Sequence, residues 1–320
     1  MKILVTGGAG YIGSHAILQL AEMGHETVVF DNLSTGYRDL VLAGDIVTGD
    51  LSDTNKLAQV FGSYNFDAVL HFAAHSQVSE SMKVPLKYYN NIANTVRLLE
   101  AMKTAKVKKL IFSSTAAVYG NPKEIPIIED APKTPVNPYG MSKKLIEYML
   151  GDCCRAWDLK YVALRYFNAC GAEKQARIGE KHNPETHLIP LILRAAAGKI
   201  PYIEIFGTDY ETPDGTCIRD YIHVTDLVHA HIIALDYLSN NGDSQALNLG
   251  IGRGFSVTEV LAAAKKVTGC TIPAKDSARR PGDPPVLVAD AKKAKHILGW
   301  KPQILNLEDM IFSAWKWHQK

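Results

Sequence analysis

An α/β fold built on a doubly wound parallel sheet is the class this chain predicts, on three observations. Short, uninterrupted apolar runs alternate with helix-length stretches through the first half. The first of these runs ends in a glycine-rich turn that opens a helix. Length and composition permit the fold: 320 residues, 47% hydrophobic and 21% charged, describe an ordinary globular chain long enough for two lobes.

Ile3-Leu4-Val5 has no polar interruption, as a strand covered on both faces requires. A helix follows over residues 11–23 and ends at Gly24, and residues 26–30 then form the next strand, closing at Asp31. The alternation continues with a strand at Ile46-Val47, a helix over 54–61, a strand at 68–72, a longer helix over 86–105 and a strand at 110–112. Prolines at 122, 126, 132 and 135 make residues 121–137 an extended loop. Asn137 then stands as an N-cap with Pro138 as the first helical residue, and that helix runs through Cys154 to a strand at 161–166. After Gly171 turn residues multiply, and a strand at 203–206 and a helix over 224–237 no longer alternate regularly. The expected division is a first domain over 1–170, with 220–250 returning to it, and a smaller, irregular α/β C-terminal lobe over 171–320.

A net charge of +2 predicts no nucleic-acid partner, and Lys106-Val107-Lys108-Lys109 marks a solvated helix-to-strand turn. Five cysteines without a C-x-x-C pair read as reduced thiols and point to the cytoplasm. The apolar run before Gly7 is too short for a signal-peptide core, and no later stretch approaches the ~18 apolar residues of a membrane span, so no membrane role is expected.

Gly7, Gly10 and Gly13 follow a strand and open a helix. Residues without Cβ let backbone N–H groups approach a pyrophosphate, whose charge a helix N-terminus favours. With Asp31 eighteen residues beyond Gly13 at the end of the second strand, the pattern is a Rossmann-like dinucleotide site. A carboxylate there would face any 2′-phosphate, and like charges ~4 Å apart repel by several kcal/mol at an effective dielectric near 20. NAD is therefore favoured over NADP, with Arg38 leaving the phosphate a small opening. Asp50-Leu51 and Phe72-Ala73-Ala74 end the third and fourth strands, where a cofactor would lie.

Tyr139 and Lys143 stand four residues apart on one helix face. A phenol is a poor base at neutral pH, and lowering its pKa by about three units takes roughly 4 kcal/mol. One cation ~4 Å away contributes on that order, and oxidised nicotinamide adds a second. Ser113-Ser114-Thr115 ends the fifth strand and places Thr115 as a hydroxyl able to relay or orient a proton.

The segments T-G-G-A-G-Y-I-G-S-H at 6–15, S-S-T-A-A-V-Y-G at 113–120, N-P-Y-G-M-S-K at 137–143, R-Y-F-N at 165–168, R-D-Y-I-H-V at 219–224 and R-R-P-G-D at 279–283 together resemble the UDP-glucose 4-epimerases of the extended short-chain dehydrogenase/reductase family. Ala116-Ala117 stands where related 4,6-dehydratases carry Asp-Glu, which favours epimerisation. The resemblance implies tightly held NAD, UDP-glucose and UDP-galactose as substrates, and a homodimer paired through the helices at 86–105 and 139–154. It implies cofactor contacts from Tyr11, Ile12, Asn32, Leu33, Ser34, Thr35, Gly36, His75, Ser76, Phe167 and either Asn90 or Asn91, beside the residues above. Ser76 replaces a frequent lysine. Substrate contacts would come from Thr115, Tyr139, Asn168, His187, Leu188, Phe206, Arg219, Arg280, Asp283 and Leu287. Leu287 leaves open whether N-acetylated or pentose UDP-sugars are accepted.

No metal site is expected. His229 and His231 would point to different helix faces, and no carboxylate–histidine spacing suits zinc or iron. A nucleotide-sugar dehydratase or reductase, and a non-catalytic dinucleotide-sensing regulator, remain as alternatives.

Overall fold

The computed structural model describes residues 1–280 and 282–320. Its first part runs β1 (Lys2–Thr6), α1 (Tyr11–Glu22), β2 (Glu26–Asp31), β3 (Asp45–Thr48), α2 (Thr54–Ser63), β4 (Ala68–His71), α3 (Val78–Ser81), α4 (Pro85–Thr104), β5 (Lys109–Ser113), α5 (Pro138–Trp157) and β6 (Lys160–Tyr166). Then follow β7 (Asn168–Cys170), α6 (Leu188–Ala196), β8 (Ile203–Phe206), β9 (Ile218–His223), α7 (Val224–Ser239) and β10 (Gln245–Leu249). The last part holds β11 (Gly254–Ser256), α8 (Val257–Thr268), β12 (Ala274–Ser277), β13 (Val286–Leu287), α9 (Lys292–Leu298) and α10 (Leu307–His318).

Seven strands pair in the order β10-β6-β5-β4-β1-β2-β3, every pair parallel. The uninterrupted apolar run of β1 has a direct cause. Ile3 and Val5 join a core with Ile17 and Leu20 of α1 and Leu227 and Val228 of α7, whereas Leu4 points into a second core with Leu57, Leu98 and Ile146 on the opposite face. Both faces are covered, so both side-chain sets must be apolar. Strand order reverses between β1 and β4, which opens a crevice at their carboxyl ends.

Residues 224–249 return to this sheet: α7 carries ten buried residues, several of them in the β1 core, and β10 pairs with β6 with Leu247 opposite Leu164. A third core joins α6, α8 and α10 through Ile192, Leu193, Val260, Leu261, Met310 and Ile311. Small sheets of β7, β9, β11 and β13, and of β8 with β12, complete that lobe.

Local signals act as their chemistry dictates. Asn137 holds an extended φ of −144° and accepts from the Gly140 amide at 2.8 Å, with Pro138 next in the helix. Such a cap stabilises by about 1 kcal/mol. The proline-rich loop is pinned midway, where the Ile127 amide donates to Val288 O and Ile127 O accepts from Asp290, both at 2.8 Å.

Candidate active site

The glycine turn closes the crevice at β1. Gly7 has a φ of +72°, and a Cβ there would stand 2.5 Å from Ala73 N. A Cβ on Gly13 would stand 2.2 Å from Gly7 O, so α1 can approach the turn only with glycine at that position. Helix α1 begins with neither a side-chain cap nor an acidic first-turn residue. Its leading amides, those of Tyr11, Ile12 and Gly13, have no intrahelical acceptor, an arrangement that fits a pyrophosphate.

Asp31 is buried beside this turn. One carboxylate oxygen accepts from Ala9 N at 3.0 Å and the other from Leu33 N at 2.8 Å. Burial pushes its pKa up while these amides pull it down. Each oxygen keeps a lone pair for a ribose hydroxyl. Gly36 lies against Ala9, and Asn32 donates to Asp50 at 2.6 Å, linking the loop after β2 to the end of β3. Leu33 is half-buried, whereas Ser34 and Thr35 lie exposed on the rim. Arg38 donates to Thr48 across on β3 at 3.0 Å. At β4 the Phe72 and Ala73 amides both donate to Thr6 O, so Phe72-Ala73-Ala74 follows the strand into the crevice; Leu51 is buried nearby in the α2–α4 core.

Of the two asparagines, Asn91 is buried and clasps His75, accepting from its amide at 2.9 Å and donating to its carbonyl at 3.0 Å. Asn90 is exposed, on a different side of the helix from Asn91. Ser76 is exposed.

Tyr139 and Lys143 are both buried in the first turns of α5. Lys143 Nζ donates to Ser113 O at 2.7 Å and lies 4.7 Å from the Phe112 ring centre. Burial pushes its pKa down to about 7, with Glu147 pulling the other way. Burial also raises the Tyr139 phenol well above its usual range, Tyr166 adding to the rise and the Thr115 hydroxyl opposing it. The sequence calls on two cations, Lys143 and oxidised nicotinamide; among the protein's own groups none offsets the burial of the phenol. Thr115 also caps a short 3-10 turn at Ala116–Tyr119, accepting from Ala117 N at 3.1 Å.

Behind the pair lies a polar network that sequence reasoning missed. Arg165 and Glu147 are 3% and 9% exposed and joined at 2.6 Å. Ser114 donates to Glu147 at 2.6 Å, Arg165 donates to Tyr119 Oη at 2.8 Å, and Tyr119 donates to Asn248 at 2.6 Å. The available signal was a lone arginine in the otherwise apolar strand Val162–Tyr166.

On the opposite wall, Asn168 in β7 pairs with Tyr221 in β9, and Leu287 in β13 registers with Arg219. Phe167 and Leu287 pack on the small core of Val118, Tyr119 and Ile127. Arg280 stacks on Phe206 with its guanidinium 3.9 Å from the ring centre. Arg219 and Asp283, expected to grip diphosphate and ribose separately, form an ion pair, Arg219 also donating to Ile218 O at 2.8 Å. Pro281 of the same motif lies outside the described residues. His187 occupies the N-cap position of α6 ahead of Leu188 without a side-chain capping bond, and its Nδ1 lies 2.7 Å from Glu180. Where no metal site was expected, the structure brings Glu180, His182, Glu185 and His187 together. The set lies between β7 and α6 in neither helix nor strand, so helix and strand spacings do not reveal it. A surface concavity of about 630 Å³ between α8 and α10 shares no residue with the constellation described above.

A pyrophosphate-ready turn and a buried tyrosine–lysine pair along one sheet edge define a dinucleotide-dependent redox enzyme. The NAD dependent epimerase/dehydratase family matches residues 3–250, and the chain belongs to it. It is 53% identical over 322 residues to the UDP-glucose 4-epimerase of Streptococcus mutans, covering 99% of this chain and 97% of that one. The structure of UDP-glucose 4-epimerase from Brucella ovis in complex with NAD matches with a TM-score of 0.96 at 48% identity, covering 98% and 97% of the two chains. That of Bifidobacterium longum UDP-glucose 4-epimerase in complex with NAD+ and UDP gives 0.96 at 39% identity, covering 100% and 98%.

Proposed function

We infer that this chain is an NAD-dependent UDP-glucose 4-epimerase, an isomerase interconverting UDP-galactose and UDP-glucose. The observation that carries the reading is the buried Tyr139–Lys143 pair on the same sheet edge as the uncapped glycine turn. Bound NAD supplies a reversible hydride store for sugar carbon 4 and, when oxidised, a positive ring. Tyr139 removes the proton of the 4-hydroxyl and later returns it, and Thr115 orients that proton. Lys143, fixed on Ser113 O, brings a cation to the pair. Asp31 holds the adenosine ribose, and the Tyr11, Ile12 and Gly13 amides hold the pyrophosphate.

Arg219 and Arg280 hold the substrate diphosphate, Asp283 its ribose, and Asn168, Leu188, Phe206 and Leu287 shape the remaining pocket. A firm grip on the nucleotide leaves the 4-keto sugar free to turn over and accept hydride on its other face. Residues 1–170 with 220–250 thus serve the dinucleotide, and 171–320 mainly the UDP-sugar. Purified protein should interconvert UDP-galactose and UDP-glucose with no NAD added, as followed by chromatography of the sugars. Net release of a keto or deoxy sugar would instead choose a dehydratase or reductase.

A homodimer is supported by exposed apolar side chains on the two neighbouring helices α4 and α5: Leu86 at 79%, Tyr148 at 59% and Leu145 at 40% exposure, with Tyr89 and Val96 beside them. Tyr148→Glu should shift sedimentation from dimer toward monomer; a monomeric wild type would remove this part of the reading. Five free cysteines agree with a cytoplasmic setting. Among the described residues no helix is long and apolar enough to cross a membrane.

A further inference from the structure

The loop between β7 and α6 carries Glu180, His182, Glu185 and His187, and one donor atom from each lies within 4.8 Å of the other three. His187 Nδ1 to Glu185 Oε1 and His182 Nδ1 to Glu180 Oε1 are both 3.4 Å, and His182 Nδ1 to Glu185 Oε2 is 3.5 Å. A tetrahedron's edge is about 1.63 times its bond length, or about 3.4 Å for zinc bonds of about 2.1 Å. Three of the four histidine–carboxylate separations therefore already have the spacing of ligands around one ion, those to Glu185 reaching one oxygen each. The fourth, His187 Nδ1 to Glu180 Oε1, is a 2.7 Å contact that would open on binding.

Without an ion these four side chains pair with one another, and one feature is left over. His182 Nδ1 is shielded from solvent and faces two carboxylates, yet it makes no hydrogen bond. The Glu180 and Glu185 side chains are 5% and 3% exposed, and carboxylates taken out of water are paired or bind metal. Their surroundings are those of oriented ligands. The amides of Thr186 and His187 donate to Glu185 Oε1 at 2.8 and 2.9 Å, leaving Oε2 turned toward His182. Trp317 Nε1 donates to the Glu180 carbonyl at 2.9 Å and anchors the loop to α10.

We propose that Glu180, His182, Glu185 and His187 form a structural site for one divalent cation of the zinc class. Two imidazoles disfavour magnesium and calcium, which take oxygen ligands. Four protein donors leave no open coordination position, so the ion holds structure and does not activate water. The His182 ring meets Tyr11 edge-on at 6.3 Å, so the ion fastens the loop leading into α6 against the first turn of α1. The site does not depend on the epimerase reading.

The test uses the purified full-length enzyme with its dinucleotide retained, dialysed against a chelator and titrated with Zn²⁺ alone in competition with a chromophoric chelator. One ion per chain is expected, with affinity weakened at least about 10-fold in both His182→Gln and Glu185→Gln. Co²⁺ should give a tetrahedral spectrum without a thiolate charge-transfer band. Absence of a stoichiometric ion, unchanged affinity in both variants, or a thiolate band assigning the metal to the cysteines would each overturn the proposal. The wild-type stoichiometry and the Co²⁺ spectrum decide it even where a variant folds poorly.

Discussion

Replacing Tyr139 by phenylalanine should lower kcat for UDP-galactose by about 10²–10⁴-fold, the range ascribed to a positioned acid–base group. Only the phenolic oxygen is lost, and the ring keeps its edge-on contact with Tyr88 at 6.4 Å, so folding and retained NAD should be unchanged. Burial holds this phenol well above its usual pKa, and nearby Lys143 is itself pushed down to about 7. The protein alone therefore keeps Tyr139 neutral, and the oxidised nicotinamide must supply much of the field that makes it a base. Kinetics with UDP-galactose, alongside the absorbance of retained dinucleotide, check the prediction. Turnover within tenfold of wild type would remove Tyr139 from the proton transfer.

Glu147→Ala should destabilise the fold by about 3–5 kcal/mol, because it strands the Arg165 guanidinium out of water. That is a large share of a typical total of 5–15 kcal/mol. The same change removes the acceptor of Ser114, next to the strand end that carries Lys143's hydrogen bond, so activity should fall in the fraction that stays folded. Urea unfolding gives the first number. The double variant Glu147→Leu with Arg165→Met separates the causes, since removing both charges should recover much of the stability. A loss below about 1 kcal/mol in Glu147→Ala would mean that solvent reaches Arg165 after all.

Much of the sheet was legible in sequence because β1 to β6 are apolar runs with turn signals between them, and Asn137-Pro138 marked the start of α5 to the residue. The glycine turn was legible for a steric reason: Gly7 and Gly13 have no room for a Cβ. What escaped was long-range pairing. The separation of Arg165 from Glu147 is eighteen residues and that of Tyr119 from Asn248 is 129, so no local period ties them together. The Arg219–Asp283 pair was hidden likewise, its members lying 64 residues apart. The upward push on the tyrosine pKa in the protein alone was not legible either, because burial depth is a property of the assembled lobe, not of the i, i+4 spacing.

The edge strand β10 and the long helix α7 come from residues 224–249, yet they cover strands completed by residue 166. A nascent chain that has just left the ribosome with its first 170 residues thus carries β6 as an open margin and one sheet face covered by α1 but still lacking α7. Synthesis at about 5–20 residues per second leaves that surface bare for several seconds before the covering segment emerges. Productive folding of this enzyme is therefore a late event in translation, and its early intermediates are natural clients for chaperones.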